Sequence, residues 1–317
     1  MYRPEIKVVD CTIRDGGLMN NWEFSREMVR DVFTGLAEAG VDYVELGYRV
    51  DKEMFPPEEH GPWRYCDEEV VREVAYACDT KISVMCDVGR TDYNHFIPAE
   101  DSLINTFRVA TYAKDIDKAI HLIKHIKDFG YEVTCNIMAI STTLEPDLDE
   151  ALDQLAASPV DVVYLVDSFG YFYSEQIHYL AEKYQEKLPG KELGIHCHNN
   201  QQLAFANTIE GIIKGINWVD GSIYGMGRAA GNCPTECLLA FLKNPKFRLA
   251  PVLELIEKYF IPLKEEKRWG YEMPYLITGA LNKHPRSALA FMKDKLSGDD
   301  RSVADFYQEH IAVEEID

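Results

Sequence analysis

Residues 162–167 read VVYLVD, five apolar residues closed by one aspartate. A strand with one wet face would alternate polar and apolar residues. This run does not, so both of its faces are expected to be buried, as happens when helices cover a parallel sheet. Helical patterns flank it at 149–156 and 174–187, and the same alternation continues in both directions along the chain. Further strands are expected at 7–12, 43–48, 81–88, 104–110, 132–140, 193–198 and 218–224. Further helices are expected at 26–39, 68–77, 115–129 and 202–214, and the segment after the third strand is short and irregular. Eight strands joined by crossover helices predict an α/β protein, a (β/α)8 TIM barrel. The alternative, a doubly wound open sheet, usually carries a glycine fingerprint after its first strand, and none is present.

After Pro245 the alternation stops. Residues 246–317 read as a helical C-terminal extension packed on the barrel, punctuated by Pro251, Pro262, Pro274 and Pro285, and residues 1–245 as the catalytic barrel domain. The chain of 317 residues carries 33 basic and 53 acidic side chains, a net charge of −20. Such a surface repels nucleic acid and anionic membranes, and no run of Lys and Arg offsets it. Small anionic substrates then need a local positive site. The eight cysteines form no CxxC pair and sit mostly in strand-like runs, which suits buried free thiols in a reducing compartment. With no apolar signal core and no run of 18 apolar residues, a cytoplasmic protein is expected.

Barrel active sites form where strands end at the C-terminal face. Strand seven ends in HCHNN, 196–200. Residues i and i+2 of a strand share a face, so His196 and His198 point into one space, and two imidazoles there suit a divalent ion such as Mn²⁺, Co²⁺, Zn²⁺ or Fe²⁺. Strand one ends in DCTIRDGG, 10–17, where Asp15 offers a hard oxygen ligand and Arg14 a guanidinium fork for a carboxylate. The plainer reading of that motif is an Arg–Asp ion pair at a turn, with Gly16 and Gly17 as turn glycines. Strand eight runs into YGMGRAAGN, 224–232, where Asn232 suits a metal through its amide oxygen and Arg228 an anionic substrate.

These motifs in this order resemble the DRE-TIM metallolyases of the HMGL-like superfamily, and within it the 4-hydroxy-2-oxovalerate aldolases. The likeness spans VDCTIRDGG (9–17), FRVATY (107–112), VYLVDSFG (163–170), the run 194–236 and the tail segment RWGYEMPYLITGALNKHP (268–285). It implies a divalent metal, Mn²⁺ or Mg²⁺ first and Co²⁺ or Zn²⁺ next, held by Asp15, His196, His198 and Asn232. It implies that Arg14 steadies a 2-oxo acid or its enolate, and that Tyr275 contacts substrate or donates a proton. The implied reaction is an aldol cleavage or condensation between a pyruvate-type enolate and an aldehyde, and the family's pairing with an acylating aldehyde dehydrogenase is a further implied partner. The sequence departs from those aldolases at Leu18, where they carry the histidine that serves as general base. Tyr48, Tyr275, His284 and a hydroxide at the metal are the replacements, with Tyr48 and Arg228 also as substrate contacts. Two other functions stay open: an acyl-CoA-dependent Claisen or HMG-CoA-lyase-like reaction, and a non-catalytic barrel acting as a binding subunit. Apolar tail segments such as YLITGAL (275–281) suit a homo-oligomer interface or simple packing.

Overall fold

Eight parallel strands close into one barrel in sequence order: β1 Lys7–Asp10, β2 Tyr43–Tyr48, β3 Lys81–Asp87, β4 Ile104–Tyr112, β5 Glu132–Met138, β6 Val162–Asp167, β7 Glu192–Cys197 and β8 Trp218–Gly221. The computed structural model describes residues 1–311. Closure comes from β1 against β8, with Val8 beside Val219 and Val9 beside Asp220. Eight helices follow the strands or lead into the tail: α1 Thr12–Asn20, α2 Arg26–Glu38, α3 Glu68–Val74, α4 Ile116–Asp128, α5 Glu145–Ala156, α6 Ser174–Lys187, α7 Ala204–Ile213 and α8 Thr235–Leu242. All six residues of β6 are buried, as the continuous apolar reading of VVYLVD requires.

Two apolar layers hold the barrel. Outside the strands, helix faces pack onto the sheet. α2 shows how: the Ser25 hydroxyl caps it by accepting the Met28 N–H at 3.1 Å, and Met28, Val29, Val32, Phe33 and Leu36 form one buried stripe. Each such side chain contributes about 1.5–3 kcal/mol on burial. Inside the barrel, Val9, Tyr43, Val162, Tyr164, Val166 and Trp218 make a separate cluster, with Tyr43 and Trp218 rings 4.4 Å apart. Toward the mouth this interior filling becomes ionic.

The structure changes the sequence reading in places that matter for the site. Gly16 and Gly17 are not turn glycines but lie within α1. The Asp10 carboxylate accepts the Thr12 N–H at 3.0 Å and turns the chain from β1 directly into helix, so the strand expected at 7–12 stops at Asp10. Gly17 is there because a Cβ would stand 2.0 Å from the Trp22 indole. Strand eight likewise ends early, since Ile223–Gly225 forms a tight 3-10 turn. Between β3 and β4 two 3-10 turns, Tyr93–His95 and Ala99–Asp101, stand where a crossover helix would be.

Beyond α8 the described residues are mainly helical. α9 Ala250–Leu255 docks on α2, where Gly35 makes room for Leu255, and a π-turn leads into α10 Ile261–Glu266. α11 Met273–Ala280, α12 Arg286–Leu296 and α13 Val303–Ile311 then share a small core around Tyr275, Phe291 and Phe306. No helix among the described residues is long and apolar enough to cross a membrane. The eight cysteines are free thiols.

Candidate active site

The first turn of α1 stands directly over the C-terminal ends of the barrel strands, and the tight junction after Asp10 aims its residues inward. Asp15 is 1% exposed there and shares a site with His196 and His198, their ligand atoms all within 4.8 Å of one another. The two imidazoles come from β7 and the residue after it, with ring centroids 5.0 Å apart and planes crossed at 82°. The i, i+2 spacing therefore brings both to one space, and the topology adds Asp15 from the other end of the barrel sequence.

Asn232 completes the cluster from the loop after β8. Its Nδ2 donates to Asp15 Oδ2 at 2.7 Å and to the Met226 carbonyl at 3.2 Å, while its Oδ1 is buried without a partner. An orphaned buried acceptor beside a carboxylate and two imidazoles is the donor set a divalent cation would satisfy. The loop reaches in because Gly227 has no side chain: a Cβ there would lie 2.4 Å from Asp15 Oδ2.

Behind these residues runs a continuous chain of buried ion pairs. Asp15 Oδ1 accepts from Arg14 Nη1 at 2.7 Å, and Arg14 Nε donates to Glu45 Oε2 at 2.7 Å. Glu45 also accepts from Arg108 Nη1 at 3.1 Å, and Arg108 Nη2 donates to Asp220 at 2.5 Å. Asp220 closes the circuit by bonding His196 Nδ1 at 2.8 Å. That bond places the ring proton on Nδ1 and leaves Nε2 as a free lone pair. Three carboxylates against two guanidiniums leave one negative charge, which a dication would overcompensate. Cys11, His196 and Asp220 also lie close enough to share an ion. Arg108 already occupies Asp220, however, and burial pushes the Cys11 thiol far above its usual range, so that trio reads as support for the first one.

Electrostatics prepare the ligands. Burial opposes ionisation of Asp15, yet Arg14, the two histidines and the Asn232 amide outweigh it and hold the carboxyl well below the usual range. Burial pushes His198 down to about 3, with His196, Arg228 and Arg14 adding to the effect against Asp15. Both therefore offer lone pairs at neutral pH. Arg14 keeps Nη2 without a partner among the described residues.

The cluster opens into a cavity of about 520 Å³ lined by Arg14, Tyr48, Arg64, Phe169, Arg228 and His284 among others. Tyr48 and Arg228 thus stand on its wall. Leu18 lines it too, 37% exposed. Tyr275 does not: it packs in the tail cluster, and its carbonyl accepts from Asn200 Nδ2 at 3.2 Å. The tail reaches the cavity instead through His284 and Arg286. Glu45, Arg108 and Asp220 escaped the sequence reading, although a lone charge inside YVELGY, FRVATY or NWVDG was the available signal.

Comparison with known proteins follows from this geometry. The sequence pattern of the HMGL-like family matches residues 5–257. The chain is similar to the 4-hydroxy-2-oxovalerate aldolase of Pelotomaculum thermopropionicum, 31% identical over 78% of this chain and 72% of that one. It is similar also to the oxaloacetate decarboxylase of Mycobacterium tuberculosis, 30% identical over 75% of this chain and 70% of that one. Among solved structures, the N-terminal domain of an aldolase-named protein from Bacteroides vulgatus superposes with a TM-score of 0.77 at 30% identity, covering 90% of this chain and 96% of that one. The HMG-CoA lyase of Brucella melitensis shares the fold, with a TM-score of 0.67 at 17% identity, covering 82% of this chain and 99% of that one.

Proposed function

Because the chain belongs to the HMGL-like family and is an enzyme, we propose that it is a divalent-metal-dependent aldolase. It would make or break the C3–C4 bond of a 2-oxo acid, between a pyruvate-type enolate and an aldehyde. The observation that carries this reading is the convergence of Asp15, His196, His198 and the orphaned Asn232 Oδ1 beside the unpartnered Nη2 of Arg14. Asp15, His196 and His198 would hold Mn²⁺ or Mg²⁺, with Co²⁺ or Zn²⁺ as alternatives and Asn232 as a fourth ligand. A bound cation would polarise the substrate's 2-oxo group as a Lewis acid.

The chain's own groups do the rest. Arg14, clamped by Asp15 and Glu45, presents fixed positive charge where negative charge grows on the enolate oxygen, and one such donor is worth on the order of 3 kcal/mol. Arg228, whose charge reaches His198, suits the carboxylate of the 2-oxo acid. The machinery so assigned lies within residues 1–245, and the helical segments that follow supply one wall through His284 and Arg286. Tyr275 supports the loop at Asn200, whose side-chain amide donates to its carbonyl.

One observation favours a second reading. Cleavage of a 4-hydroxy-2-oxo acid needs a group to take the hydroxyl proton. Leu18 cannot, burial keeps the Tyr48 hydroxyl protonated, Tyr275 packs away from the cavity, and His284 Nδ1 already accepts the Arg286 N–H at 3.1 Å, so of the expected replacements only a hydroxide at the metal is left. Loss of CO₂ from a 3-carboxy-2-oxo acid needs no such base: the C3–C4 electrons pass into the enolate and C3 later takes a proton. The decarboxylase-named relative agrees with this reading.

Proton NMR of pyruvate methyl exchange in D₂O, with Mg²⁺, with Mn²⁺ and with chelator, tests the shared step. Metal-dependent exchange that disappears in Asp15→Asn is expected; exchange indifferent to metal and to Asp15 would remove the assignment. Oxaloacetate and a 4-hydroxy-2-oxo acid, assayed side by side, separate the readings by release of CO₂ or of aldehyde.

A further inference from the structure

The cavity wall carries a cation that the mechanism does not use. Arg14 pairs with Asp15 and Glu45, Arg90 with Asp87 at 3.3 Å, and Lys118 with Asp115 at 2.6 Å. Arg64 has no ion pair and no side-chain hydrogen bond among the described residues, although it is only 6% exposed and lines the cavity. Its guanidinium lies in a box of three rings, 4.1 Å from the centroid of Trp22, 4.7 Å from Phe55 and 4.9 Å from Tyr48. The Nε atom is enclosed without a partner. Burying an unpaired guanidinium is costly, and aromatic faces repay only part of that cost. Burial lowers its pKa, the physical signature of a cation short of counter-charge. Asp87, a carboxylate whose charge reaches it, is bonded to Arg90 instead.

The residue is held in place rather than left to find a partner. It ends the 3-10 turn Pro62–Arg64 after β2. The preceding Gly61 N–H donates to the Asn21 carbonyl at 2.8 Å, and Trp63 Nε1 to the Phe24 carbonyl at 2.9 Å. A planar fork fixed on a cavity wall suits a carboxylate or a phosphate. The cavity, about 520 Å³, lies in the range that takes drug-sized ligands, about 300–1,000 Å³, and leaves room beyond pyruvate and a two-carbon aldehyde.

We propose that Arg64 anchors a second anionic group, a carboxylate or a phosphate, on the aldehyde half of the substrate. This rests on the aldolase reading above. In the condensation direction C3 of the enolate bonds to the aldehyde carbon, and the aldehyde oxygen takes a proton to become the 4-hydroxyl. The anion on Arg64 changes no bond and serves to position the acceptor.

Two measurements test it separately from the aldolase reading. In the first, the Mn²⁺-loaded enzyme condenses pyruvate with matched acceptors: butanal against succinic semialdehyde, and glyceraldehyde against glyceraldehyde 3-phosphate. One charged member is expected to be preferred by at least about tenfold in kcat/KM, with the preference collapsing in Arg64→Gln and partly recovered in Arg64→Lys. The preferred pair identifies carboxylate or phosphate. A purely structural Arg64 would lower both members of a pair alike and leave the ratio intact. In the second, calorimetry follows succinate and inorganic phosphate binding to the Mn²⁺-loaded wild type and to Arg64→Gln. Binding weakened about tenfold or more by the substitution is expected. No charged preference and no Arg64-dependent anion binding in a wild type that exchanges pyruvate protons would overturn the anchor and leave the aldolase standing. Arg64-dependent anion binding without any pyruvate exchange would do the reverse.

Discussion

At the scale of single residues, the site works through groups that never touch a ligand. Asp220 is held ionised near pKa 2 because Arg108 and His196 outweigh the burial that opposes its charge. Its carboxylate fixes the His196 tautomer. Asp220→Asn should therefore weaken metal affinity by about 10–100-fold while every ligand stays in place, a change that calorimetry with Mn²⁺ reads directly. Unchanged affinity would reduce Asp220 to a packing role. Leu18 offers a complementary test. Leu18→His restores an ionisable group on the cavity wall and should raise cleavage of a 4-hydroxy-2-oxo acid by about 10–100-fold, leaving oxaloacetate decarboxylation little changed. An unchanged rate of cleavage would show that the missing histidine at this position does not limit the reaction. Asp15, His196 and His198 were legible because each sits in a recognisable motif at or just past the end of a strand. Glu45, Arg108 and Asp220 were not, since pairing between β2, β4 and β8 is a property of the closed barrel and not of any one segment.

At the scale of elements, the junction between β1 and α1 carries the most consequence. Asp10 ends the strand, accepts the Thr12 N–H, and ties α8 to the barrel by accepting the Thr235 hydroxyl at 2.6 Å. Complete burial pushes its carboxyl up to about 6 against the pull of those bonds. The folded pKa then lies above the unfolded one, so folding takes up a proton. The protonated group's stabilisation is complete below pH 4 and is lost as pH rises toward 6. Asp10→Asn removes that slope, and relative to wild type it should gain about 2 kcal/mol at pH 7.5 over its standing at pH 4. Urea unfolding at the two values measures the difference; parallel shifts at both would show that the carboxyl does not titrate there. Most elements were readable from apolar periodicity, including β2, β6 and α6 to the residue. The failures fell where local chemistry overrides periodicity. Two glycines looked like a turn because their reason for being glycine, close contact with Met226 and Trp22, is tertiary. Strand five stopped at Met138 because Ala139 takes a left-handed conformation, φ 53°.

At the scale of the whole molecule, a net charge of −20 surrounds a mouth whose wall carries the guanidinium groups of Arg64, Arg228 and Arg286. The excess acid surrounds those few arginines with charge of the opposite sign. A cation bound to the folded state alone must also stabilise it. Mn²⁺ at about 100 times its Kd adds about 3 kcal/mol and should raise Tm by about 4–5 °C, with no rise in Asp15→Asn. An equal rise in that variant would place the ion elsewhere. The bond from Asn232 to Asp15 spans 217 residues of chain, and β1 finds its second neighbour only in β8. On the ribosome, then, the first strand emerges with an open edge and waits through most of translation for the partner that seals it. The cluster of Asp15, His196, His198 and Asn232 cannot guide that wait, because it is incomplete until the loop after the last strand is made. A product cut short before β8 lacks that neighbour and is left exposed along an unpaired edge.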